Sequence, residues 1–137
     1  MNMFNKISVL IVLLASFTAN AGIVIIGSPD LTGPISAKEV KKVYLGKKVN
    51  FNGGKLTAIE INESEAIKSD FHKQVTNKSI VQLNSFWAKQ LFTGKAKPLK
   101  TTASQAEMKA KVATGSAMIG YVDESLVDDQ VVVLLKL

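Results

Sequence analysis

The chain has 137 residues, 47% hydrophobic and 20% charged, which excludes a disordered tail and suits one packed core rather than two. All 17 basic residues are lysine, set against 11 acids for a formal charge of +6, and cysteine is absent, so no disulfide scaffold is available. Without arginine for bidentate contacts to phosphates or base edges, the positive balance reads as a solvated lysine surface rather than a nucleic-acid footprint.

Lys6 precedes an apolar stretch from Ile7 to Phe17, and Ala19-Asn20-Ala21 then supplies the small-x-small pattern that signal peptidase requires. The stretch is about 11 residues long, short of the ~20 that span a bilayer as a helix. Residues 1–21 are therefore expected to be a leader cleaved after Ala21, against the alternatives of a membrane anchor or a buried core helix. Residues 22–137 then form one periplasmic domain with no membrane span. No cysteine follows the apolar run, so a lipid-modified N-terminus is excluded. Charge in the remaining chain is uneven: Lys38, Lys41, Lys42, Lys47 and Lys48 crowd one segment, and Asp123, Glu124, Asp128 and Asp129 another.

Ile23 to Ile26 is a β-branched run ended by Gly27-Ser28-Pro29 and predicts a buried strand. Ser36 with Glu39 forms a capping box for a short helix through Tyr44, stopped at Gly46. Asn52-Gly53-Gly54 predicts a turn, and Leu56 to Ile61 the next strand. Ser64 is expected to cap a second helix whose apolar stripe is Ala66, Ile67, Phe71 and Val75. Ser79 is expected to cap a third, carrying Leu83, Phe86, Trp87 and Leu91, with Phe86 and Trp87 packed on the sheet, the alternative being one aromatic offered to solvent as a partner surface. Lys97-Pro98 leads into a loop. Ser104 and Glu107 box a fourth helix to about Ala113, and Ala117–Val122 and Val131–Leu135 predict two closing strands. This order of elements predicts a single α/β layer sandwich.

Four segments then carry a resemblance: Ile35-Ser36-Ala37-Lys38-Glu39-Val40, Tyr44-Leu45-Gly46-Lys47, the strand-to-helix passage Ala58 to Phe71, and Ala117-Met118-Ile119-Gly120-Tyr121-Val122. In order and approximate spacing they resemble the phosphate-binding proteins of ABC transporters. That resemblance implies a three-layer α/β sandwich like one lobe of a type 2 periplasmic binding protein. It covers nearly the whole chain after residue 21 but only one of the family's two lobes.

The resemblance also implies where a ligand would sit. The family places an arginine near a strand end and, four residues on, a Gly-Ser-Gly-Thr turn that opens a helix. Backbone N–H groups and hydroxyls at such a helix N-terminus attract an oxyanion, and the arginine adds a charge-assisted fork. In this chain the matching turn is Glu63-Ser64-Glu65-Ala66, and Glu60 stands at the arginine's place. Ser64 alone is retained, and Lys68, one helical turn beyond it, is a candidate to offset one of the three carboxylates. Ser64 also reads simply as an N-cap with acids around it. A phosphate site is thus expected to be absent or remodelled.

Other chemistry finds no support in the residues. His72 is the sole histidine, which with no cysteine leaves no transition-metal ligand set, and it is expected to be a partly exposed helical residue. No nucleophile elbow, EF-hand spacing or phosphate loop is present. The expectation is a non-catalytic, cofactor-free, periplasmic solute-binding-like protein related to phosphate receptors, whose partner is a small oxyanion such as phosphate. The alternative is an interaction or regulatory module that has lost its transport ligand and meets an envelope or sensor protein.

Overall fold

Residues 22–137 are described by a computed structural model, and the expected leader at residues 1–21 lies outside them. The β-branched run forms strand β1 (Ile23–Gly27), buried along nearly its whole length. It sits inside a five-stranded sheet of order β5-β4-β6-β1-β7, with β4 at Thr57–Ile61, β5 at Lys100–Thr102, β6 at Met118–Asp123 and β7 at Val132–Lys136. The sheet is mixed. β4 pairs in parallel with β5 and β6, whereas β1 runs antiparallel to β6 and β7. Thr57 lies opposite Met118 and Ile59 opposite Lys100, so the three parallel strands all begin at one edge of the sheet and end at the other.

Side-chain alternation along β6 assigns the layers. Tyr121 faces helices α1 (Ala37–Tyr44) and α2 (Ala66–Val75), where its ring stacks on Phe71 at 3.8 Å between centroids and 5° between planes. The preceding Gly120 faces α4 (Gln105–Thr114) so closely that a Cβ would lie 2.9 Å from Met108 and 3.1 Å from Val112. A glycine is required there because α4 packs directly on the backbone. Helices on both faces make the expected three-layer α/β sandwich.

Three helices start as their sequences predict. Ser36, Ser79 and Ser104 each accept the backbone N–H three residues on, at 3.2 Å in every case, and Ser79 forms a full capping box with Gln82. α2 departs from expectation: its N-cap is Glu65, not Ser64, and no side chain caps it.

Helix α3 (Ile80–Phe92) departs further. Only Leu83 is buried; Phe86 and Trp87 are half-buried and edge-to-face with each other, and Phe92 is 94% exposed. The expected packing of this pair onto the sheet fails because α1 and α2 already cover that face. α3 instead rests against α2, and Trp87 packs over Gly46, whose φ of +81° turns the chain out of α1. Three short pieces add to the expected order: the hairpin β2 (Asn50–Phe51) and β3 (Gly54–Lys55) around the predicted turn, β5 in a segment expected to be a loop, and a 3-10 turn at Glu124–Leu126. No helix among the described residues is long and apolar enough to cross a membrane.

Candidate functional site

β4 ends at Ile61, and Asn62–Glu65 carries the chain into α2 at the edge where the parallel strands finish. Asn62, rather than Ser64, holds this turn: its carbonyl accepts the Glu65 N–H at 3.1 Å and its side chain the Ser64 N–H at 3.5 Å. Glu63 and Ser64 are exposed and Glu65 is half-buried. With no side-chain cap, the first N–H groups of α2 are left to solvent or a ligand, and the positive end of the helix dipole goes unopposed by its own first turn, which contains no acid.

Lys68 sits in that first turn and is only 7% exposed. It pairs with no carboxylate among the described residues. Since no buried side-chain nitrogen or oxygen among them lacks a partner, its ammonium must meet solvent at the end of a buried stem. Helical side chains lean toward the N-terminus, so from the first turn this cation can reach the open end of α2.

Glu60 belongs elsewhere, and here the expected picture of three carboxylates around one pocket is corrected. Glu60 is 5% exposed and turns into the core beneath α2. Oε2 lies 2.8 Å from Nε2 of His72, while Oε1 accepts the Ile61 N–H at 2.9 Å and the Tyr121 hydroxyl. His72, expected at the surface, is completely buried. A carboxylate within an apolar strand needs such partners, because an unpaired buried charge costs several kcal/mol, on the order of 3–5. The repulsion at the helix entrance therefore comes from Glu63 and Glu65 alone.

The Thr76 hydroxyl lies 2.9 Å from Nδ1 of His72 and 3.1 Å from the His72 carbonyl, so it completes the hydrogen bonding of the ring's second nitrogen. Tyr44 donates to the Ile59 carbonyl at 2.8 Å and packs edge-to-face on Phe71 and Tyr121. Burial, with the Glu60 charge second, pushes the phenols of Tyr44 and Tyr121 well above the ordinary tyrosine range.

This Glu60–His72–Tyr121 cluster has acid–base chemistry without access. It is buried between sheet and helix, so it locks α2 onto β4 and β6. No cluster of three metal-ligating side chains occurs among the described residues. Sequence reasoning missed His72, Thr76 and Tyr121 as a unit. The available signal was Glu60 itself, a lone acid in an apolar strand that required a buried donor nearby.

No protein-family model and no curated protein matches the sequence. The fold does have solved counterparts. An ABC-type phosphate transport receptor from Vibrio cholerae superposes with a TM-score of 0.64 at 15% identity, over 82% of this chain and 45% of the other. A Clostridium perfringens protein described as a phosphate ABC transporter substrate-binding protein, with bound phosphate, gives 0.65 at 18% identity over 82% and 44%. PstS from Borrelia burgdorferi gives 0.63 at 16% over 82% and 46%. The chain thus shares the fold of these receptors and spans less than half of their length.

Proposed function

We propose that the protein is a non-catalytic, solute-binding-like component of the periplasm, built on one lobe of the phosphate-receptor fold and retaining a degenerate oxyanion site at the start of α2. The observation that carries this reading is the match in fold over 82% of the chain to receptors for phosphate. The uncapped α2 N-terminus and Lys68 attract an anion; Glu63 and Glu65 oppose it. A helix end contributes about 0.3–1 kcal/mol to an exposed anion, which two nearby carboxylates cancel.

Titration calorimetry against phosphate and related oxyanions tests this. The unmodified protein should bind phosphate with a Kd weaker than about 1 mM, roughly −4 kcal/mol. Glu63→Gly with Glu65→Gly should strengthen binding, and Lys68→Met should abolish what remains. Micromolar binding by the unmodified chain would return it to the transport receptors.

The second reading, an interaction or regulatory module without a transport ligand, is favoured by Glu60. Where the receptors' pattern has a ligand-facing arginine, this chain spends the position on its own core. Failure of every oxyanion in the calorimeter, before and after the glycine substitutions, would select this alternative. Export itself is checked by mass spectrometry of the periplasmic fraction, where the chain should begin at Gly22.

A further inference from the structure

The opposite edge of the sheet, where β4, β5 and β6 begin, carries a second feature. A groove of about 790 Å³ opens there between the loop after α1, the β3 strand and the end of α3. Its walls include Lys47, Lys48, Lys55, Lys95, Lys97 and Lys100, and no acidic residue lines it. None of these six lysines forms an ion pair among the described residues. The length of β4 separates the groove from Ser64, so the two belong to different edges of the molecule.

Lysines often gather at helix C-termini simply to offset the dipole, and α1 and α3 both end at this groove. Magnitude decides against that as the whole account. Each helix end carries roughly half a negative charge. Two ends leave most of six positive charges uncompensated.

Apolar side chains accompany the charge. Leu56, Leu99 and Met118 line the groove, Leu91 lines it while 50% exposed, and the adjacent Phe92 is 94% exposed at the tip of α3. An exposed aromatic next to a lysine-lined groove suits the boundary between lipid headgroups and acyl chains, where cations meet phosphate and the ring enters the apolar layer. An acidic peptide would satisfy the lysines but gives no use for the almost fully exposed Phe92 beside them.

We propose that this basic groove and the Leu91–Phe92 end of α3 form a docking surface for an anionic lipid bilayer. Binding there leaves the α2 edge facing away from the membrane. The surface is independent of whether the α2 edge holds an oxyanion.

Co-sedimentation of the full chain with phosphatidylcholine vesicles, with and without 30% phosphatidylglycerol, provides the test. Three variants are compared: Lys95→Glu/Lys97→Glu in the groove, Lys73→Glu/Lys111→Glu on α2 and α4, and Phe92→Ser. The two double variants share one net charge and one N-terminus, so any contribution from residues 1–21 cancels between them. Phosphatidylglycerol should strengthen binding, and the groove variant should lose at least about tenfold more than the control, since each lysine near an anionic surface is worth about fivefold. Phe92→Ser should weaken binding to the anionic vesicles, and high salt should remove the gap between the double variants. Equal behaviour of the two double variants, or indifference to phosphatidylglycerol, overturns the proposal. Binding of polyglutamate with no binding to phosphatidylglycerol vesicles would likewise overturn it and reassign the groove to an acidic protein segment.

Discussion

At the scale of single residues, the buried network around Glu60 makes two predictions. Removing His72 strands the Glu60 carboxylate beneath α2, so His72→Leu should cost about 3–5 kcal/mol in denaturant unfolding. A loss below 1 kcal/mol would show that the two are not coupled. The second prediction uses the fact that the chain has only two tyrosines, both fully buried. Their folded-state pKa values are raised above the unfolded one, so their contribution to stability is complete below about pH 10 and is lost as pH climbs beyond it. Each tyrosine steepens that alkaline loss by about 1.4 kcal/mol per pH unit. The native protein should therefore show no tyrosinate absorbance near pH 10.5, and both phenols should ionise together with the loss of circular dichroism. Gradual ionisation of one tyrosine in a folded chain would mean that solvent reaches the cluster.

Among the elements, α3 and α2 make a natural comparison. Phe71 is buried at the centre of the aromatic stack, and Phe71→Ala should cost about 3–5 kcal/mol. Phe86 lies half in solvent under the Lys78 ammonium, 5.4 Å from its ring, and Phe86→Ala should cost less than about 1 kcal/mol. Equal losses would mean that α3 is part of the main core. The element pattern was legible where a local signal was strong, as with the serine caps at 36, 79 and 104 and the apolar strands. It failed where tertiary context decided. Nothing local to Lys100-Thr101-Thr102 announces an edge strand, since pairing with β4 creates it. Phe86 and Trp87 have helical spacing suited to a core, yet that face of the sheet was already occupied. At the candidate site, Glu63, Ser64 and Glu65 lie in the turn before α2 and Lys68 in its first turn, whereas Glu60 does not join them. Strand alternation turned it inward, toward a histidine 12 residues away.

The whole molecule poses a question of linkage, because a ligand that binds only the folded state raises its stability by an amount fixed by affinity. One continuous core spans β1 to β7 and both faces of the sheet, so thermal unfolding should be a single transition. At 10 mM phosphate, a site with a Kd weaker than about 1 mM adds less than about 1.4 kcal/mol and raises Tm by less than about 8 °C. A micromolar site would add about 5 kcal/mol at the same concentration and shift Tm by well over 10 °C. Phosphate also stabilises proteins generally by exclusion from their surface, so sulfate at matched ionic strength is the necessary reference. Phosphate and sulfate should give shifts within a degree or two of one another for the unmodified chain. In Glu63→Gly/Glu65→Gly the two curves should separate, with phosphate the higher. A large phosphate-specific shift in the unmodified protein would show that one lobe, with Glu63 and Glu65 in place, is enough to hold the ion.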